Sequence, residues 1–218
     1  MIEHVYRRAA ATPGVDAVVV ATDDDRVAAA VSAFGGVSCM TRSDHRTGTD
    51  RLAEVATALS CDIVVNVQGD EPLIEPATIR AVISPLLNDP TLEMSTACTP
   101  LTDRADHANP NVVKVVLNQH GNALYFSRAP IPYMRDPRGG WPPLYRHIGL
   151  YAYRRPALLV LAALEPTPLE RAEALEQLRA LEHGIRIKAI ETTHDTIGVD
   201  TPEDLARVRA LLAHAITT

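Results

Sequence analysis

The chain has 218 residues, 21 of them basic and 27 acidic, for a net charge of −6 at neutral pH. That length suits one α/β domain with a sizeable core, and the acidic balance argues against a nucleic-acid or membrane-surface protein. No apolar run approaches the ~20 residues of a membrane span, and the opening Met1-Ile2-Glu3-His4-Val5 does not read as a signal peptide, so a cytoplasmic location is expected.

In chain order, helix and strand patterns alternate. Residues 2–11 read as a helix with Ile2, Val5, Tyr6 and Ala9 on one face, and Asp16 to Ala21 as a strand. Asp23 or Asp24 can cap a helix over 25–34, and Thr49 or Asp50 one over 51–59. Ile63 to Val67 is an apolar strand, followed by a helix over 76–87 with Pro76 in its first turn. Further strands are predicted over 93–99, 112–117, 123–127, 147–153 and 185–191, and further helices over 156–163, 169–182 and 202–215. The stretch Arg128 to Pro143, rich in Pro and Gly, cannot be continuous helix and reads as a long loop or flap. The alternation predicts a single α/β domain of nucleotidyltransferase-type, Rossmann-like architecture, with a mixed, mostly parallel sheet flanked by helices. Cys39, Cys61 and Cys98 follow no metal spacing and read as small hydrophobes in a reducing compartment.

The most informative stretch follows the strand at 63–67. Gln68-Gly69-Asp70-Glu71-Pro72 places a carboxamide, a glycine and two carboxylates at a strand's carboxyl end, where open α/β sheets bind ligands. Gly69 would let backbone approach a ligand, and Asp70 is a candidate Mg²⁺ ligand; a capping turn explains the same residues. Thr47-Gly48-Thr49-Asp50-Arg51 offers hydroxyls and backbone N–H groups at a helix start, with Arg51 adding a fork for phosphate or a carbonyl edge. It reads equally as an ordinary cap with a surface arginine.

Asp200, ahead of the Pro202 helix, is either a cap or a second carboxylate converging with Asp70 on one metal. In Tyr145-Arg146-His147-Ile148-Gly149-Leu150-Tyr151, the positions of His147, Gly149 and Tyr151 share a strand face and suit an acidic sugar. Glu173, Glu176, Gln177 and Arg179 lie on a helix and read most simply as a solvated face. Asp23-Asp24-Asp25 makes a D-x-D pattern of the kind that holds a metal–diphosphate in some glycosyltransferases, although capping explains it too.

Taken together, VVVATDDD (18–25), HRTGTDR (45–51), VVNVQGDEP (64–72), YFSRAPIP (125–132), YRHIGLYAYR (145–154), LEQLRALEHGIRI (175–187) and GVDTPEDL (198–205) resemble the 3-deoxy-manno-octulosonate cytidylyltransferase (CMP-Kdo synthetase) family, in family order along nearly the whole chain. The resemblance implies transfer of CMP from CTP to Kdo with release of pyrophosphate, for lipopolysaccharide biosynthesis, by a Mg²⁺-dependent homodimer. It implies Asp70 and Asp200 as Mg²⁺ ligands, and Gln68, His147, Tyr151 and Glu176 facing Kdo. Thr49 and Arg51 would lie near the cytosine or ribose, Gly69 by the nucleotide, and Arg128 on an anionic substrate.

Family members carry, ahead of the stretch matching MIEHVYRRA, an apolar strand and a basic loop that grips the CTP phosphates. Neither is in this sequence, so the natural protein is expected to begin upstream of Met1, and the chain without that segment to fold poorly or bind CTP weakly. Competing expectations are a cytidylyltransferase for another acidic sugar, a metal-dependent glycosyltransferase using Asp23 and Asp25, and a non-catalytic sugar-binding relative.

Overall fold

The computed structural model describes residues 1–136, 142–194, 196–199 and 201–215. The chain folds into two compact units: Met1–Leu59, Asn66–Arg80 and the described residues from His194 onward form one, and Ser60–Val65 with Ala81–Thr193 the other.

The first unit begins with α1 (Ile2–Ala10), which buries Val5 and Ala9 one turn apart. Glu3 near its N-terminus and Arg7 and Arg8 in its last turn oppose the helix dipole, and Glu3 pairs with Arg7 at 2.7 Å. Tyr6 packs on Phe34 with ring centroids 5.4 Å apart. β1 (Val20–Thr22) pairs in parallel with β2 (Ser38–Met40) as a two-stranded sheet. Between them lies α2 (Asp25–Ala33), capped by the Asp24 side chain, which accepts from the Arg26 N–H at 2.8 Å.

The next helix, α3 (Gly48–Ala58), starts earlier than the sequence suggests. Thr47, not Thr49 or Asp50, is its cap and accepts from the Asp50 N–H at 3.2 Å. The first helical residue is a glycine, a poor helix former, which hides the start from a propensity reading. At the C-terminal end, α9 (Pro202–Ala215) opens with Thr201 and Asp204 bonding each other's backbone N–H groups.

The second unit is built on β3 (Ile63–Asn66), β4 (Met94–Pro100), β5 (Lys114–Leu117), β6 (Ala123–Ser127), β7 (Tyr145–Arg154) and β8 (Ile187–Glu191), in the order β6-β5-β7-β4-β8 with β3 also on β7; only Asn66 of these strands belongs to the first unit. The mixed α/β class is as expected, but the balance of directions differs. β4–β7, β5–β6 and β5–β7 run antiparallel, while β4–β8 and β1–β2 run parallel. Apolar alternation does not distinguish the two arrangements when both faces are covered.

α4 (Pro76–Asn88) buries Ile79, Val82, Ile83 and Leu86. Its C-terminal carbonyls are taken by Arg154, whose Nη2 donates to Leu86 O and Asp89 O. A short helix, α5 (Arg104–Ala108), capped by Asp103, follows β4. α6 (Arg155–Ala163) buries Leu158 and Leu161.

The helix predicted over 169–182 is two helices, α7 (Pro168–Glu173) and α8 (Gln177–Glu182), separated at Ala174, which is left-handed at φ 51. Nor is this segment a solvated face. Arg179 is 3% exposed and forks onto Glu170 at 2.5 and 2.8 Å, while Gln177 is buried.

The described part of the 128–143 stretch carries no helix or strand, and its residues 137–141 lie outside the described set. Cys98 is buried, and burial first, then the nearby Glu191 charge, pushes its thiol up to about 12; Cys39 and Cys61 are half-buried. Among the described residues no helix is long and apolar enough to cross a membrane.

Candidate functional site

The sequence-predicted residues divide between the two units. In the first, Asn66 ends β3 and the chain turns through Gln68, Gly69 and Asp70, closed by a Glu71 N–H bond to Gln68 O at 3.3 Å. Gln68 and Gly69 are exposed and Asp70 is half-buried. Asp70 O accepts from the Val199 N–H at 2.9 Å, which ties this turn to the residue before Asp200. Asp200 itself lies outside the described residues.

The Asp70 carboxylate makes no hydrogen bond or ion pair among the described residues. Gly69 has no positive φ, and among the described residues a Cβ there would meet only Ile2 Cδ1, at 3.4 Å. The packing of the described residues therefore does not demand a glycine at this position.

Around α3, Thr49 is buried, and Arg51 is held from two sides. Its Nη1 donates to Thr41 Oγ1 at 2.5 Å and its Nη2 pairs with Asp23 at 3.1 Å. Asp23, the first acidic residue of the D-x-D pattern, is thus a partner for Arg51, and Asp24, its middle residue, is the α2 cap. His45, Glu54 and the Arg42 N–H bond together behind the same loop; the His45 contact, first among the causes, holds the Glu54 carboxyl below its usual range.

In the second unit, the polar positions of β7 come together as expected. The His147 ring meets Phe126 edge-on at 4.9 Å and Tyr151 at 5.4 Å. Burial, and then the Arg146 charge, pull the imidazole down to about 3, so the ring is neutral. Burial, with Tyr153 and Glu176 adding to it, pushes the Tyr151 phenol up, so it also stays uncharged.

The sequence reading missed Thr96 and Lys114 here and took Glu173 for part of a solvated face. Thr96 of β4 bonds His147, Lys114 anchors the neighbouring loops, and Glu173 organises Arg128. Lys114 is fully buried, and its ammonium donates to Asn109 O, Val112 O and Arg128 O at 2.9, 2.6 and 2.5 Å. Its three protons meet three carbonyls. Burial lowers its pKa, and the Glu173 charge opposes that.

Glu173 Oε1 accepts from Ser127 Oγ at 2.6 Å and Tyr125 OH at 3.4 Å, and Oε2 accepts from the Arg128 N–H at 2.9 Å. Burial alone would raise Glu173, but these donors outweigh it and hold the carboxyl below its usual range. Arg128 in turn gives Nε to Glu173 O at 2.9 Å and Nη1 to Pro110 O at 3.1 Å. The left-handed turn at Ala174 lets Glu173 end one helix on this cluster while Glu176 begins the next within electrostatic reach of Tyr151. A charge at the start of a strand, such as Lys114, reads as surface in a sequence, and only the three carbonyls identify it as an anchor.

A hard cation such as Mg²⁺ needs only one or two protein carboxylates, with substrate phosphates and waters completing its shell. Asp70 fits that requirement. No group of three metal-binding side chains occurs among the described residues, and none is required for this mode.

Comparison with known proteins gives a consistent result. Residues 1–187 match the family model described as cytidylyltransferase. A 3-deoxy-manno-octulosonate cytidylyltransferase of Pelobacter propionicus is 55% identical over 221 residues, covering 96% of this chain and 86% of that protein. Its counterpart in Geobacter sulfurreducens is 53% identical over 220 residues, covering 95% and 87%. A solved CMP:2-keto-3-deoxy-manno-octonic acid synthetase complexed with CTP superposes with a TM-score of 0.93 at 47% identity, over 98% of this chain and 88% of that one. A 4-diphosphocytidyl-2C-methyl-D-erythritol synthase from Anaerococcus prevotii, at 12% identity and TM-score 0.63 over 97% and 88%, shares the fold alone.

Proposed function

The chain belongs to the cytidylyltransferase family, and from that premise we propose that it transfers CMP from CTP to Kdo, giving CMP-Kdo and pyrophosphate for lipopolysaccharide biosynthesis. The likeness to the CTP-complexed synthetase, high in identity and nearly complete in length, carries this reading. In the reaction the anomeric hydroxyl oxygen of Kdo bonds to the α-phosphorus of CTP, the α–β bridging P–O bond breaks, and the hydroxyl proton is lost.

Phosphoryl chemistry of this kind is accelerated by positioning and charge neutralisation more than by covalent work from the protein. Asp70 and Asp200 would hold the Mg²⁺. When bound, the ion neutralises phosphate charge and acidifies the attacking hydroxyl.

Thr49 and Arg51 would bound the nucleoside, with Arg51 pre-set by Thr41 and Asp23, and Gly69 would let the nucleotide approach the backbone. His147, Tyr151, Glu176 and Gln68 would face Kdo. Uncharged His147 and Tyr151 suit sugar hydroxyls, which need hydrogen-bond partners rather than counter-charges. Arg128, with two nitrogens committed to Glu173 and Pro110, can offer Nη2 to an anionic group. The net charge of −6 gives no general attraction to anionic substrates, so such local donors must supply it.

The protein would work as a cytoplasmic homodimer, a reading that rests on the family resemblance and is checked by sedimentation. The central test is Asp70→Asn assayed by pyrophosphate release with CTP, Kdo and Mg²⁺. Turnover should collapse while folding is retained; wild-type-like turnover would remove Asp70 from the site. Omission of Mg²⁺ should stop the wild type in the same assay.

A further inference from the structure

His147 sits where β7 leaves regular pairing. On β4, Thr96 stands opposite Tyr151, yet the next residue, Ala97, stands opposite Ile148, so the register shifts and Gly149 and Leu150 fall between the two paired positions. A bulge of this kind takes backbone groups out of the ladder, and buried ones must then be satisfied by other means.

Thr96 supplies one such means. Its side chain is fully buried, and Oγ1 lies 2.8 Å from Leu150 O, 3.3 Å from Ile148 O and 2.9 Å from His147 Nε2. A hydroxyl has one proton and two lone pairs, whereas a carbonyl oxygen can only accept. The proton therefore goes to Leu150 O, the nearer carbonyl. Were it turned to the ring, both carbonyls would face an oxygen lone pair inside the protein. With its proton spent on the bulge, Thr96 can only accept from the imidazole, and Nε2 must carry the ring proton. The ring is uncharged, so Nδ1 has none.

We propose that Thr96 is a positioning residue that fixes His147 in the tautomer protonated on Nε2, leaving Nδ1 as an acceptor that reads a hydroxyl of the sugar acid and disfavours its carboxylate. This rests on the reading of His147 as a sugar-facing residue. It assigns His147 a direction: the ring takes a proton from the substrate's hydroxyl group in a hydrogen bond and gives none. The substrate carboxylate, finding a lone pair there, must be met by a donor elsewhere.

The test is a two-bond ¹H–¹⁵N correlation spectrum of the substrate-free protein labelled at histidine, with His147 assigned by its loss in His147→Asn. The expected result near neutral pH is a pyrrole-type Nε2 and a pyridine-type Nδ1. An Nδ1–H ring in the wild type overturns the proposal and leaves the cytidylyltransferase reading untouched. In Thr96→Val the fixed pattern should give way to a mixture of tautomers. KM for Kdo should then rise by the inverse of the fraction that keeps the competent tautomer, about twofold for an even mixture, with KM for CTP unchanged. Thr96→Ser keeps the hydroxyl and should restore both. If Thr96→Val fails to fold, the wild-type spectrum and the Ser variant still decide the matter. A fixed Nε2–H ring combined with an unchanged KM for Kdo in folded Thr96→Val overturns the recognition role and takes His147 off the sugar. Pyrophosphate release measured on the same wild-type sample shows separately whether the reaction itself is correctly assigned.

Discussion

In the first unit, Asp70 stands on a strand-exit turn, half-buried, with its carboxylate uncommitted among the described residues and only its backbone oxygen tied, to Val199. In the second unit, Lys114, Ser127, Glu173 and Arg128 are bonded to one another and to backbone before any substrate arrives. Thr96 and His147 are likewise joined. A carboxylate whose proposed task is to hold a cation loses nothing by waiting, because the cation would bring phosphate and water ligands of its own. Residues that must discriminate one neutral hydroxyl pattern from another have only weak, directional bonds to work with, and those count most when their geometry is set beforehand. One set can thus be altered with little effect on folding, while the other is part of the folded structure.

The comparison breaks most easily at Asp70. Asp70→Asn should lower turnover by roughly a thousandfold, the loss of about 4 kcal/mol of charge stabilisation, with an unchanged thermal midpoint. A large drop in that midpoint would show that Asp70 is structural after all.

Lys114→Met should do the reverse, costing about 3 kcal/mol of stability because three buried carbonyls lose their donor at about 1 kcal/mol or more each. Chemical denaturation measures this, and a cost below about 1 kcal/mol would mean that the network is dispensable.

A third effect is pH-dependent. The His147 pKa is lowered from 6.5 to about 3 on folding, so between those values the unfolded chain holds a proton that the folded one does not. Stability from this group is complete above the unfolded value and is lost as pH falls toward the folded one. Denaturation at about pH 7 and about pH 5 should show that loss, and His147→Asn should reduce it.

The smallest effect is expected at Gly69. Gly69→Ala should change stability by no more than about 0.5 kcal/mol, since among the described residues its Cβ meets only Ile2 Cδ1, while KM for CTP rises. Equal affinity for CTP in the variant would show that the backbone there is not approached by the nucleotide.

Much of this was legible in the sequence. The apolar run at 63–66 and its polar exit, the Asp24 cap, and the pairing of His147 with Tyr151 on β7 all follow from period and turn chemistry. What escaped was set by partners distant in sequence. Ser38–Met40 is too short and mixed to announce a strand, and it becomes one only beside Val20–Thr22. Arg104–Ala108 shows a capping Asp103 but too few residues for a helical period. Glu173 and Arg179 sit at positions that suit a solvated helix. They turn inward because Arg128 and Glu170 wait for them, and no local pattern carries that information. The bulge in β7 is equally silent, since residues 147 and 151 share a face with or without it.

Ala174 has a further consequence. An alanine held at φ 51 gives up about 1 kcal/mol that a glycine would not, because its Cβ crowds the following carbonyl. Ala174→Gly should therefore raise heat tolerance by a few degrees in a melting experiment and leave the reaction unaltered. The joint that orients two acidic side chains is also the place where a hardier catalyst for making activated sugars could be obtained with a single change.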